Sequence, residues 1–322
     1  MSTTDLADAS RSHRENGPSG ELDVSVVLPV YDEVGHLALE LKRMKLALNA
    51  AGLRYEIIAV DDGSTDGSSE VLDSTEGIRV IRLPTNRGSG TVRKIGTRAA
   101  RGRIVVWTDA DMSYPNDVIP WLVDQLGGFD QVVGARTSEK GTVRWARTPA
   151  KFLIRKLAEY LTGTRIPDLN SGFRAFRRTA AIPLLHLLPK GFSCTTTMTM
   201  SFLANGLSVK HVPIDYEPRA GTSKFHWRRD SSKYLQQIIR LVMRYAPLKI
   251  FAPPGMALLF LGFAKLAFDL LVHPVRVAGN TLLLLFAALQ VLSVGLLADL
   301  IVDLSKPNDA QISNAQIGSA GD

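Results

Sequence analysis

Short apolar runs that close on clusters of acids or glycines alternate along the first two thirds of the chain with stretches whose apolar residues return every three or four positions. Residues 24–30 (Val-Ser-Val-Val-Leu-Pro-Val) predict a strand running into Tyr31-Asp32-Glu33, after which Val34, Leu37, Leu41, Met44 and Leu48 share one helical face. Residues 56–60 predict a second strand, entering the loop Asp61-Asp62-Gly63-Ser64-Thr65-Asp66-Gly67, and residues 78–83 a third, followed by Asn86-Arg87-Gly88-Ser89-Gly90 and a helix over 91–100. Residues 104–111, Ile-Val-Val-Trp-Thr-Asp-Ala-Asp, are too short and too β-branched for a helix and read as the central strand, delivering two carboxylates one residue apart to its end. Residues 131–134 predict one more strand, with Arg136 just beyond it. Strands alternating with helices predict an α/β fold with a doubly wound, mostly parallel sheet and right-handed crossovers. The polar loops then share one edge, where ligands of such sheets collect.

The last third has a different pattern. Residues 231–246 place Tyr234, Leu235, Ile238, Ile239 and Val242 on one face and Lys233, Arg240 and Arg244 on the other, as in a basic helix lying in a membrane interface. Residues 251–272 and 281–300 are long and apolar enough to span a bilayer, with a turn around Pro274 and Arg276 between them. Between Arg219 and Lys249 stand eight Lys or Arg and one acid, Asp230, which places this flank and the catalytic domain on the cytoplasmic face. Lys265 and Asp269 inside the first span need pairing, snorkelling or a neighbouring helix. The expected organisation is a disordered arm over 1–22, a catalytic domain over 23–230, an amphipathic interface helix over 231–249, a transmembrane hairpin over 250–304 and a flexible tail over 305–322.

Composition adds little to this picture except through charge. A net charge of +7 indicates an anionic partner. The cations cluster beside the spans, where anionic membrane lipid accounts for them and nucleic acid is not needed. The single cysteine, Cys194, excludes an intramolecular disulfide and a thiolate zinc cluster. Neither a dinucleotide fingerprint nor a Gly-x-x-x-x-Gly-Lys-Ser/Thr loop occurs, which argues against a dehydrogenase or an ordinary ATPase. The Asp109-Ala110-Asp111 carboxylates offer hard oxygen ligands to Mg²⁺ or Mn²⁺, whose shell a diphosphate and water would complete.

Leu28-Pro29-Val30-Tyr31-Asp32-Glu33, Val60-Asp61-Asp62-Gly63-Ser64-Thr65-Asp66-Gly67 and Asp109-Ala110-Asp111 resemble, in order, the three signatures of the family-2 inverting nucleotide-sugar glycosyltransferases. Asp32 stands where Asn is commoner in that family. The resemblance implies a GT-A-like fold, a nucleoside pocket lined by Pro29, Tyr31, Glu33, Asp61 and Asp62, and a metal on Asp109 and Asp111 bridging the diphosphate of the nucleotide-sugar. Asp168-Leu169-Asn170-Ser171-Gly172-Phe173-Arg174-Ala175-Phe176-Arg177-Arg178, through its Ser-Gly-Phe-Arg, and Arg219-Ala220-Gly221-Thr222-Ser223-Lys224-Phe225 resemble segments of the dolichol-phosphate mannose and glucose synthases, although Thr222 replaces a common Glu. The implied reaction moves a hexose onto a polyprenyl (dolichyl or undecaprenyl) phosphate.

Residues 191–204, where family members that glycosylate a hydroxyl carry an acidic base, contain no carboxylate. A phosphate monoester, with a second pKa of about 6, needs none and requires cations instead. Arg136, Arg219 and Lys224, with Ser223 and more weakly Arg147, are the candidates to hold it. A transferase for another membrane acceptor, such as a lipid-linked glycan or diacylglycerol, and a catalytically silent membrane scaffold are the competing readings. A homo-oligomer is compatible with all of them.

Overall fold

The computed structural model describes residues 22–136, 155, 156, 158–160, 163–191, 193–217, 243, 246–272 and 277–305. Two compact units divide the chain, Met1–Gln237 and Ile238–Asp322. The expected N-terminal arm, C-terminal tail and most of the interface helix lie outside the described residues, as do Arg147, Arg219, Ser223 and Lys224.

In the first unit, β1 (Val24–Val30), α1 (Val34–Ala50), β2 (Tyr55–Asp61), α2 (Ser68–Ser74), β3 (Arg79–Arg82), α3 (Ser89–Ala99) and β4 (Ile104–Trp107) follow one another as the pattern predicts. A 3₁₀ turn (Asn116–Val118), α4 (Ile119–Asp124) and β5 (Gln131–Arg136) come next. Then follow β6 (Arg174–Arg177), α5 (Arg178–Ala181), a 3₁₀ turn (Ile182–Leu187), α6 (Cys194–Ala204) and β7 (Val209–Ile214). The strands form one sheet in the order β3-β2-β1-β4-β6-β5-β7. Every neighbouring pair is parallel except those of β6, which runs antiparallel to β4 and β5. The sheet is thus mixed where the alternation alone predicts parallel pairing, and Arg136 closes β5 where the sequence reading places it after the strand.

Alternate side chains of β1 point to opposite faces. Val24, Val26, Leu28 and Val30 join Leu37, Leu41, Met44 and Leu48 of α1 in one core. Val27, with Ile58 and Trp107, joins Val92, Met198 and Phe202 of α3 and α6 in the other. Burial on both faces explains why the strands read as nearly continuous apolar runs. Each fully buried side chain of this size contributes roughly 1.5–3 kcal/mol. Pro29 fits inside β1 because pairing with β4 ends at Val27, opposite Trp107, so no ladder bond is lost on that side. The opening of α3 lies so close to residues 189–191 that a Cβ on Gly90 would stand 2.1 Å from the Pro189 carbonyl oxygen. The Lys190 carbonyl accepts the Gly90 N–H there at 2.9 Å.

The second unit is a helical hairpin of α7 (Leu248–Val272) and α8 (Gly279–Ser305), with mean hydropathies of 1.9 and 2.3. Both helices run somewhat beyond the predicted spans, since helical hydrogen bonding continues past the most apolar window. Gly255 and Gly262 of α7 lie against Leu292 and Leu285 of α8, where small residues let the helices approach. The polar pair in the first span is satisfied within the hairpin. Lys265 Nζ lies 3.1 Å from Asp269 Oδ1, while Asp269 Oδ2 accepts from the Thr281 hydroxyl and from the Ala278 N–H.

Candidate functional site

The ends of β1 and β2 are tied together by their own acids and hydroxyls. Asp32 has a φ of +51°, a left-handed conformation that Asn and Asp tolerate best, which accounts for an Asp where the family prefers Asn. Its carboxylate accepts the Thr65 N–H at 2.8 Å, and its own N–H donates to Ser64 Oγ at 3.1 Å. Asp66 accepts the Val34 N–H at 3.0 Å, satisfying one of the open donors at the start of α1. Asp61 accepts from the Ser64 N–H at 2.9 Å and the Ser69 hydroxyl at 2.5 Å. Burial pushes the Asp61 carboxyl up, but these bonds outweigh it and hold it below the ordinary range. Asp62 accepts the N–H groups of Arg87 and Gly88 at 2.7 and 2.8 Å, clamping the loop that enters α3. Tyr31, Glu33 and Pro29 are half-buried along the same edge.

Beyond Trp107 the chain turns through Thr108, Asp109, Ala110 and Asp111, and Met112 then takes a φ of +61°, unusual for its side chain. Asp111 is buried and accepts from the N–H and hydroxyl of Ser113. Asp109 is partly exposed and pairs with Arg93 of α3 at 2.5 Å. Arg93 is buried: burial opposes its charge, but the Asp109 carboxylate together with Cys194 and Tyr114 outweighs this and raises its pKa. Asn116 organises the turn from below. Its amide oxygen accepts from the Thr108 hydroxyl, and its amide nitrogen donates to Glu40 of α1 and, at 3.3 Å, to the Asp109 carbonyl. Burial raises the Glu40 carboxyl, opposed by bonds from Asn116 and Arg43, and the nearby Asp111 charge raises it further.

Gly172 closes the site from the loop before β6. A Cβ there would stand 2.9 Å from both Arg93 Nη2 and Asp109 Oδ2, so a larger residue would have to displace the ends of the two paired side chains. Its N–H donates to the Tyr114 hydroxyl at 2.8 Å, and Tyr114 stacks on Phe173 with centroids 5.6 Å apart. Arg136, at the end of β5, forms a fork with Asp168, Nε to Oδ2 at 2.7 Å and Nη2 to Oδ1 at 3.0 Å, and lies 5.2 Å from the Tyr216 ring. Burial pushes Asp168 up, yet the Arg136 contacts hold it below the usual range. Arg174, fully buried, bonds the carbonyls of Ser171 and Thr195, and burial lowers its pKa to about 10.

Asp61, Asp62, Asp109, Ala110, Asp111 and Arg136 thus all stand at the carboxyl ends of β2, β4 and β5. Arg93, Asn116, Glu40 and Tyr114 are additions that motif reading alone misses, as is the pairing of Asp168 with Arg136. Among the described residues no three His, Cys, Asp or Glu side chains cluster as a metal site. The chemistry of the donor set is therefore that of two carboxylates, which fits a hard cation completing its shell with phosphate and water and does not fit a closed four-ligand zinc site.

The glycosyl transferase family 2 profile matches residues 25–185, and that of the GtrB C-terminal hairpin matches residues 246–304. The undecaprenyl-phosphate 4-deoxy-4-formamido-L-arabinose transferase of Pseudomonas paraeruginosa is 32% identical over 297 residues, covering 86% of this chain and 84% of that protein. The protein of the same name from Aeromonas hydrophila is 30% identical over 306 residues, covering 86% and 88%. Among solved structures, glucosyl-3-phosphoglycerate synthase from Mycobacterium tuberculosis, in complex with Mn²⁺, uridine diphosphate and glucosyl-3-phosphoglycerate, has a TM-score of 0.57. At 21% identity over 74% of this chain and 84% of that one, it shares the fold.

Proposed function

Because the chain belongs to glycosyl transferase family 2, we propose that it moves a sugar from a nucleotide-sugar onto the phosphate of a polyprenyl phosphate, with inversion at the anomeric carbon. The observation that carries this reading is the Asp109–Asp111 turn, fixed by Arg93, Ser113 and Asn116 beside the Asp61-Asp62 loop. Mg²⁺ or Mn²⁺ held by the two carboxylates would neutralise charge developing on the leaving nucleoside diphosphate. The other residues position and select. Pro29, Tyr31, Glu33 and the loop built on Asp61 and Asp62 form the nucleoside side. Arg93 pairs with Asp109 and aims its carboxylate.

The acceptor side is read from what α6 offers. Its buried face carries Thr195, Thr196 and Thr199 and no carboxylate, so it has nothing to deprotonate an alcohol. A dianionic phosphate attacks without such a base. Its cations are then Arg219 and Lys224, with Ser223 and Arg147, while Arg136 adds positive charge to the edge with its fork held by Asp168. The acceptor's lipid chain agrees with the hairpin: α7 and α8 make this a membrane protein, and the eight cations between Arg219 and Lys249 support a cytoplasmic catalytic unit. The resemblance to dolichol-phosphate synthases points to a hexose, whereas the relatives' names carry a substituted arabinose, a pentose, so both sugar classes belong among the donors to test.

Arg219→Ala and Lys224→Ala separate the two sides of the reaction. Each lowers transfer to polyprenyl phosphate by about tenfold or more, the scale of losing one charge-assisted contact, while calorimetry with nucleoside diphosphate and Mn²⁺ shows nearly unchanged donor affinity. A large loss of nucleotide binding in both would place these residues on the donor side and overturn the acceptor assignment.

A further inference from the structure

The antiparallel insertion of β6 has a consequence at the edge of the sheet opposite the Asp109–Asp111 turn. Ile104, the first residue of β4, pairs with Arg177, the last of β6, and the Arg178 N–H donates to the Arg103 carbonyl at 2.9 Å. Two arginine-rich segments distant in sequence are thereby brought side by side. Between them lies a cavity of about 300 Å³ lined by Arg101, Arg103, Arg177 and Arg178 together with Ile104 and Thr179.

Carboxylates reach two of the four arginines, Arg103 and Arg177, and not the other two. Asp23 serves Arg103 at 3.1 Å and Arg54 at 3.2 Å. Asp130 lies 4.0 Å from Arg177, whose guanidinium also donates to the carbonyls of Gly127 and Phe129. Glu56 accepts the backbone N–H of Arg101 at 2.7 Å and lies 3.6 Å from Arg79. Among the described residues the guanidinium groups of Arg101 and Arg178 make no hydrogen bond or ion pair, and Arg178 Nε is buried without a partner. Neighbouring arginines with surplus charge match phosphate oxygens, which accept two parallel N–H bonds from one fork.

We propose that this cavity is a second anion site, taking a phosphate monoester or diphosphate group carried by a small phosphorylated molecule or by a lipid head group. Its volume is at the small end of ligand pockets, with room for such a group and not for a whole nucleotide-sugar. It is also distinct from the donor site: it lies at the Ile104 end of β4, and the turn to Asp109 and Asp111 begins beyond the Trp107 end, roughly 10 Å along the strand at about 3.3 Å per residue.

Calorimetry on the full-length protein in neutral detergent, with EDTA present so that no divalent metal assists the other site, tests the proposal. Inorganic pyrophosphate and short-chain phosphatidic acid are the probes. Saturable binding that weakens about tenfold or more in Arg101→Gln/Arg178→Gln, and not in Arg98→Gln on the exposed face of α3, supports the site. Binding of pyrophosphate alone identifies a soluble ligand, and binding of the lipid alone a head group. Should the double variant fold poorly, Arg101→Gln alone gives the same reading, since its exposed side chain has no contact that the fold uses. No saturable binding of either probe below about 10 mM, or affinity unchanged by the substitutions, returns the arginines to a solvated basic edge.

Discussion

Asp109→Asn and Asp111→Asn are each expected to lower sugar transfer by at least roughly 100-fold, the scale of losing a preorganised electrostatic group at the site of developing charge. The two variants differ in stability, which separates catalysis from folding. Asp109 is the partner of the buried Arg93, and its neutralisation leaves that guanidinium without a compensating charge, so Asp109→Asn also lowers the unfolding temperature. Asp111 accepts from the Ser113 N–H and hydroxyl, which the amide oxygen of Asn can still take, so Asp111→Asn loses activity with a smaller loss of stability than Asp109→Asn. Initial rates with and without excess EDTA, together with thermal melts, give both readings. Near-normal transfer by either variant, or full activity in EDTA, removes the metal from the mechanism.

Gly172→Ala is the second large effect. The added methyl meets Arg93 Nη2 and Asp109 Oδ2 at 2.9 Å, so one or both ends of the ion pair must shift. Overpacking of this kind costs about 1–3 kcal/mol, which corresponds to roughly 5- to 150-fold if it falls on the geometry of the ion pair. The loss should appear in kcat/KM while the melting temperature changes modestly, because the displaced atoms are those that aim Asp109. A rate equal to that of the unsubstituted protein would mean that Asp109 can step aside without consequence, and the role given to the Arg93 pair would fail.

The parts of this site that are legible in the sequence are those whose physics is local. A strand buried on both faces must be an apolar run, so residues 24–30 and 104–107 announce themselves, and the acids at their ends are conspicuous against that background. The hairpin is equally plain, because a bilayer demands length and hydropathy together. What escapes is set by contacts distant in sequence. β6 is Arg-Ala-Phe-Arg, four residues with charged ends and no apolar run, so neither its existence nor its antiparallel direction can be read from the pattern. Arg93 sits in a helix rich in cations and looks like part of a solvated face, yet it is buried against Asp109. Asn116 and Glu40 are 76 residues apart and meet only because α1 packs beside the turn that follows β4. Arg136 stands out at the end of its strand, but its pairing with Asp168, 32 residues on, is supplied only by the fold.

The most direct measurement of the central claim uses membranes containing the full-length protein and Mn²⁺, labelled nucleotide-sugars of hexose and pentose type, and either a polyprenyl phosphate or the corresponding polyprenol. The account predicts that label from one donor enters the lipid extract as a sugar joined through phosphate to the polyprenol, β-linked when the donor is α-linked, and only when the phosphate is supplied. Equal transfer to the polyprenol, or retention of the donor's anomeric configuration in the product, would contradict it.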